Sequence, residues 1–266
     1  MSTNIEPDIA RVAAAIAEPA RAAMLVALLG GEPLAATVLA RRAGVAPSTA
    51  SEHLTRLVED GLIARRSVGR HRYHTLAGDD VAEALEALAR IAPSAMAAAA
   101  AGPSEQRALR FARTCYDHLA GALGVLLTDT LIARGFIGAK AFDVTAAGEG
   151  WLDGLEIDVA GLRAKRRSFV RPCLDWSERR DHLAGAVGAA IARTALERRW
   201  LVRMDGTRAL RLTLRGREGL YRALGVEIGT AAEGGLGLGL RRGLRFAVPA
   251  GSRTSERTRA PRISAG

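Results

Sequence analysis

Residues 39–63 read Leu39-Ala40-Arg41-Arg42-Ala43-Gly44-Val45-Ala46-Pro47-Ser48-Thr49-Ala50-Ser51-Glu52-His53-Leu54-Thr55-Arg56-Leu57-Val58-Glu59-Asp60-Gly61-Leu62-Ile63. Gly44 ends one helical pattern, and Pro47-Ser48-Thr49 opens another, because proline at a first helical position loses no hydrogen bond. Leu54, Leu57 and Val58 fall on one face of this second helix, and Gly61 stops it. The spacing predicts a helix-turn-helix. Its second helix turns Ser48, Thr49, Ser51, Glu52, His53 and Arg56 outward, and such a helix can fill a DNA major groove with its N-terminal residues on base edges.

The flanks complete the unit. Ile9, Val12, Ala13 and Ile16 recur at helical spacing. Pro19 opens a further helix with Met24, Leu25, Leu28 and Leu29, which Gly30-Gly31 ends. A helix after Pro33 turns Leu34, Val38 and Leu39 inward. Beyond Gly61, Leu62-Ile63-Ala64 and His71-Arg72-Tyr73-His74 can pair as strands around Ser67-Val68-Gly69-Arg70. Asp79 or Asp80 can cap a last helix bearing Val81, Leu85 and Leu88. Arg65, Arg66, Arg70 and Arg72 on the hairpin suit phosphate contact, with Arg70 and Arg72 expected to hold it. The run Ala17-Glu18-Pro19-Ala20-Arg21 with Leu39–Ile63, above all Ser51-x-His53-Leu54 and Gly61-Leu62-Ile63, resembles the ArsR/SmtB family of winged-helix repressors over about residues 8–91. The resemblance implies a homodimer built on the first and last helices of the unit, a double-stranded DNA operator, and control by a bound effector. The family's metal sites do not carry over: Leu34–Val38 has no thiol, and Val81–Ile91 has no histidine.

The 266-residue chain is long enough for two domains. Its 48% hydrophobic and 25% charged residues exclude wholesale disorder. The net charge of +10 points to an anionic partner. The sequence divides into a winged helix-turn-helix at 8–92, a linker at 93–104 rich in Ala, Gly and Pro, a folded region at 105–226, and a basic tail at 227–266 expected to be disordered. No secretory signal or apolar run of membrane-spanning length occurs, so a cytoplasmic protein without membrane partners is expected.

Region 105–226 holds nine of the eleven aromatics and an internal repeat. Asp117–Gly124 recurs as Asp181–Gly188, seven of eight residues identical at an offset of 64. Each copy reads as helix, strand, turn, strand, helix, and the repeated Gly121/Gly124 and Gly185/Gly188 suit close crossing of two helices. The fold class is mainly α with small β-hairpins, an N-terminal winged helix and a duplicated helix-wing α+β region. Cys115 and His118 read as one turn apart on a helix. Asp175 and Glu178 read as a capping box opening the second copy, with Cys173 before it and His182 after it. Two cysteines and two histidines can make a soft metal site, a thiol switch, or simply a buried apolar pair with two capped histidines. The spacings are no zinc signature, and the unequal Cys-to-His intervals argue against a symmetric metal cage. Trp151, Trp176 and Trp200 can wall a cleft between the copies. No catalytic constellation, nucleotide loop or cofactor motif is present. The expected function is a sequence-specific transcriptional repressor, not an enzyme, released by a small-molecule or redox effector sensed in the second region. The alternative is an enzyme or thiol- or metal-dependent protein that its winged helix anchors to DNA.

Overall fold

The computed structural model describes residues 6–69, 71–92 and 103–229. The expected linker lies mostly, and the basic tail almost entirely, outside the described residues. The N-terminal unit runs α1 (Ile9–Ala17), α2 (Pro19–Leu28), β1 (Leu34–Ala35), α3 (Ala36–Ala43), α4 (Pro47–Glu59), β2 (Ile63–Val68), β3 (His71–Leu76) and α5 (Asp79–Ile91). Pro19 and Pro47 sit in the first turns of their helices, and Gly44 closes α3 in the left-handed conformation. β3 is central in an antiparallel sheet of order β1-β3-β2. Met24, Leu25, Leu28, Leu39, Leu54, Leu57, Ile63, Leu76 and Leu85 form the core that joins these elements.

The second region continues with α6 (Pro103–Phe111), β4 (Arg113–Cys115), β5 (His118–Ala120), α7 (Gly121–Ala133), α8 (Ala146–Asp153) and α9 (Val159–Arg163). It ends with β6 (Arg171–Leu174), β7 (Asp181–Ala184), α10 (Gly185–Glu197), β8 (Leu201–Arg203), β9 (Leu210–Leu212) and α11 (Leu214–Leu224). Each copy is therefore a hairpin, a long helix, a second strand pair and a short helix. In the first copy the second strand pair shrinks to the bridge Ile137–Val144. The same capping chemistry serves both copies. Thr145 and Thr213 accept the backbone N–H groups of Gly148 and Gly216 at 3.1 and 2.9 Å. Val226 and Ile228 are buried in this region's core, so packing continues past the expected boundary at 226.

Four expectations need correction. Cys115 and His118 are not on a helix; they face each other across the β4–β5 hairpin. Asp175 caps no helix, because it sits in the turn between β6 and β7, where its Oδ1 accepts from the backbone N–H groups of Ser177 and Glu178. The repeated glycines do not mark a crossing of their two helices. A Cβ on Gly124 would lie 2.5 Å from the Leu119 carbonyl oxygen and 3.5 Å from the Cβ of His182. One on Gly188 would lie 2.4 Å from the Leu183 carbonyl oxygen and 3.4 Å from the Cβ of His118. Each glycine thus admits its own hairpin and the other copy's histidine, a reciprocal exchange about a pseudo-twofold. The tryptophans also part company. Trp151 and Trp200 line an apolar void of about 30 Å³ in the core, and Trp176 lies under the Arg113 guanidinium at 4.3 Å.

The winged helix is docked on the second region through the Gly30-Gly31 turn. The Tyr116 N–H donates to the Leu29 carbonyl at 2.7 Å, and Thr114 Oγ1 donates to the Gly30 carbonyl at 3.2 Å. Gly31 has φ of +77°, and a Cβ there would lie 2.1 Å from the Tyr116 carbonyl oxygen.

Candidate DNA interface and candidate sensor site

On α4, Ser48, Thr49, Ser51 and Glu52 are exposed, while Ala50, Leu54 and Leu57 are buried. Two other outward-facing expectations are tied down internally. His53 is half-buried, with Nδ1 3.6 Å from Glu18 and 3.5 Å from Arg21. Arg56 is exposed but paired with Asp60 at 2.8 Å, and the same carboxylate holds Arg11 of α1 at 2.7 Å. Arg65, Arg66 and Arg72 are exposed on the β2–β3 wing; Arg70 lies outside the described residues. The register pairs Ile63 with Leu76, Arg65 with His74 and Ser67 with Arg72. Arg65 and Arg72 therefore share the hairpin face that begins in the core, and Arg66 lies on the other. Buried His74 is pushed toward its neutral form by burial and by Arg65 and Arg72.

The second site was only half legible in the sequence. The two hairpins lie side by side and bring Cys115, His118, Cys173 and His182 together, all four buried, with one donor atom from each within 4.8 Å of the others. Register alone explains part of this: Cys115 pairs with His118, and Cys173 with His182. The two sulfurs are 3.9 Å apart, and both thiols are free. The imidazole centroids are 5.1 Å apart. The first hairpin's two-residue turn becomes a six-residue turn in the second, so unequal intervals along the chain still give equivalent positions.

Each histidine has a carboxylate beside Nδ1. Asp117 Oδ1 is 3.3 Å from that atom of His118, and Asp175 Oδ2 is 3.2 Å from that atom of His182. Nε2 of both histidines and Nδ1 of His182 are buried without a hydrogen-bond partner. Asp175 also binds the fully buried Arg113 at 2.7 Å and accepts the Gly121 N–H at 2.7 Å. Burial opposes its ionisation, but His182, Arg113 and that N–H outweigh it and hold the carboxyl far below the usual range. Burial likewise opposes Asp117, which His118 and Arg167 bring below its ordinary value. Between the sulfurs, Cys115 stabilises a Cys173 thiolate, helped by His118 and His182. Cys115 itself is pushed up by Cys173, by burial and by Glu86. Asp117 and Arg113 were not singled out in the sequence, and Asp175 was singled out only as a helix cap. The pattern Arg-x-Cys-x-Asp at 113–117 and again at 171–175 carries them.

A cavity of about 230 Å³ opens onto Cys115, His118 and Cys173 from the side of α5. Asp79, Glu83, Glu86 and Arg90 of α5 line it, spaced four, three and four residues apart and so on one helical stripe. Arginines of the second region hold that stripe. Arg167 is 3.4 Å from Asp79 and also binds Asp117. Arg171 is 3.8 Å from Glu83, Arg208 is 3.1 Å from Glu86, and Arg179 donates to the Arg90 carbonyl at 3.2 Å.

Known proteins resemble the chain in two tiers. The helix-turn-helix domain family matches residues 16–66. The HTH-type transcriptional regulator YdfF of Bacillus subtilis is 42% identical over 226 residues, 84% of this chain and all of that one. Among solved structures, NolR of Sinorhizobium fredii is 32% identical, covering 31% of this chain and 81% of that one at a TM-score of 0.29. The homodimeric winged helix-turn-helix DNA-binding domain Mb0332 of Mycobacterium bovis is also 32% identical, over 30% of this chain and 73% of that one at 0.28. Among the described residues no helix is long and apolar enough to cross a membrane. The chain belongs to the HTH-type transcriptional regulators: it has their helix-turn-helix domain, folded here as a winged helix, and it shares with YdfF most of the region that follows.

Proposed function

We propose that this regulator is a homodimeric repressor whose hold on its operator is set by an effector taken up in the second region. The observation that carries the reading is the double membership of α5. Its Ala82 and Leu85 belong to the winged-helix core, and its acidic stripe lies against the arginines that surround the Cys/His cluster. A ligand that alters those charges acts on a helix that also fixes the DNA-binding unit. That gives one element whose position both sites can bias.

Ser48, Thr49, Ser51 and Glu52 are the base-reading candidates, and Arg65 and Arg72 are the phosphate candidates. His53 and Arg56 need to leave their present partners to take part, so they are placed second. Dimerisation through α1 and α5 is supported by the exposed apolar side chains Ile9, Val12, Leu88 and Ile91, and Mb0332 is a homodimeric example of such a domain. Two recognition helices on half-sites about 34 Å apart then give operator symmetry.

The test is binding of the full-length protein to DNA upstream of its own and adjacent genes, by fluorescence anisotropy against scrambled competitor. Specific binding that an effector weakens is expected, together with derepression of a reporter. Equal affinity for specific and scrambled DNA refutes operator recognition. Reporter output that falls on deletion of the gene refutes repression.

A further inference from the structure

We propose that Cys115, His118, Cys173 and His182 form a binding site for one thiophilic d¹⁰ divalent cation of the zinc class, two thiolates and two imidazole Nε2 atoms closing on it from the two copies of the repeat. Three independent observations point to a ligand here. The first is distance. Tetrahedral coordination with metal–sulfur bonds of about 2.3 Å sets the sulfurs about 3.8 Å apart. They are 3.9 Å apart. The full set of donors spans 4.8 Å and needs to contract by about 1 Å to reach tetrahedral sulfur–nitrogen separations.

The second is unmet bonding. Buried imidazole nitrogens are normally satisfied. Here Nε2 of His118 and of His182 have no partner, although these side chains are only 4% and 1% exposed. A disulfide between the two cysteines would leave both nitrogens as they are; a cation uses both. The third is the outer layer. Each histidine has Nδ1 within 3.3 Å of an aspartate. Asp117 hydrogen-bonds that atom of His118, and Asp175 lies 3.2 Å from that of His182 without a hydrogen bond, a placement that suits an Nδ1 proton and an Nε2 lone pair turned to a metal. The same pair recurs in both copies, and Arg167 and Arg113 in turn hold Asp117 and Asp175.

Charge closes consistently. Two thiolates and two neutral imidazoles neutralise a dication, and each proton still held by a cysteine sulfur leaves to water as that sulfur binds. The cavity beside α5 gives access, and Asp79, Glu83 and Glu86 make its wall attractive to a cation. Binding itself is independent of the repressor reading. That the ion is the effector rests on that reading, through Glu86 and Cys115.

The experiment uses full-length protein, reduced and freed of metal with a chelator. Zinc is added against a chromophoric competitor, and cobalt(II) serves as a spectroscopic probe. One ion per chain is expected, with intense tetrahedral d–d bands and a near-ultraviolet sulfur-to-cobalt band. Cys115→Ser and Cys173→Ser should each weaken that band and reduce affinity. Asp117→Asn, at a half-buried position that leaves the four ligands intact, should lower affinity about 10–100-fold while preserving the cobalt spectrum. No uptake by fully reduced, folded protein overturns the proposal. So does uptake that the cysteine variants leave unchanged, or a six-coordinate spectrum without sulfur charge transfer. Operator binding is measured on the same preparations. Intact operator binding without metal uptake refutes only the ion, and a normal cobalt spectrum without specific DNA binding refutes only the repressor reading.

Discussion

Replacing Arg72 by alanine tests the wing directly. Arg72 is exposed, shares its hairpin face with Arg65, and pairs in register with Ser67, away from the core pair Ile63–Leu76. If it holds one phosphate, a dimer loses two contacts. Each contact contributes about 0.9 to the slope of log affinity against log salt, so the slope should become shallower by about 1.8. Over a fourfold rise from about 50 to 200 mM salt, the variant should then lose about tenfold less affinity than the parent. The loss at any one salt concentration should be alike for operator and scrambled DNA, since phosphates carry no sequence. Fluorescence anisotropy across a salt series reads both quantities. Ser51→Ala is the contrast: on the exposed face of α4, it should leave the slope unchanged and relax specificity, by about 1–3 kcal/mol per contact, only at the equivalent position of each half-site. An unchanged slope in Arg72→Ala refutes the phosphate role, and a sequence-selective loss reassigns the wing to base readout.

Other outcomes follow from packing and charge. In metal-free protein, Asp175→Asn leaves Arg113 buried without its counter-charge and should cost about 3–5 kcal/mol in urea unfolding; a cost under about 1 kcal/mol would mean that the pair does not hold the two hairpins together. Gly188→Ala drives a Cβ to 2.4 Å from the Leu183 carbonyl oxygen and should destabilise by about 1–3 kcal/mol. Gly150→Ala, in a helix with open space around it, should stabilise by about 0.5–1 kcal/mol, and equal effects at the two glycines would refute the close-approach argument. Asp60 is held below its ordinary value by the Arg11 hydrogen bond against the opposing effect of burial, with Arg56 adding to it. Its contribution should therefore be complete above the unfolded value of about 3.9 and be lost as pH falls below that toward the lowered folded value. The stability difference from Asp60→Asn should shrink only at that acid end. Leu88→Glu, at an exposed apolar position of α5, should shift a dimer to monomer in sedimentation at micromolar concentration; a wild-type monomer would refute the dimer outright.

Local physics made the N-terminal unit readable. Pro19, Pro47, Gly44 and Gly61 punctuate helices by backbone restriction alone, and the leucine spacing on α4 fixes which face is buried. The first and last strands of the wing were visible as β-rich runs, but the short β1 strand exists only because β3 offers an edge to pair with. The second region was harder. Cys115 and His118 sit three apart, a spacing that fits a helical face and a tight hairpin equally well. The turn at Tyr116-Asp117 decides for the hairpin, with Tyr116 at φ +59°. The inward turn of His53 toward Glu18 and Arg21 could not be read from α4 alone, because its partners lie on another helix.

The six-residue difference in Cys-to-His spacing was the most misleading feature, and it carries the most information once the hairpins are seen. Aligned on the histidines, the copies differ by 64 residues; aligned on Arg-x-Cys-x-Asp, they differ by 58. Both alignments hold if the extra residues sit in the turn after Asp175. That longer turn has a consequence. It brings Ser177 and Trp176 onto Arg113, at 3.1 Å from Ser177 Oγ and 4.3 Å from the indole, and buries the Arg113–Asp175 pair. The first copy has no such turn, so Asp117 stays half-exposed and its arginine, Arg167, reaches on to Asp79 of α5. The second copy's aspartate is thereby fixed in the interior and the first copy's is linked through Arg167 to Asp79, while Arg171 and Arg179 tie the second copy to α5 as well. On the proposed reading, a ligand that draws the four donors together would act on two unlike arginine–aspartate pairs, Arg113–Asp175 packed against Trp176 and Ser177, and Arg167–Asp117 continuing to Asp79 of α5.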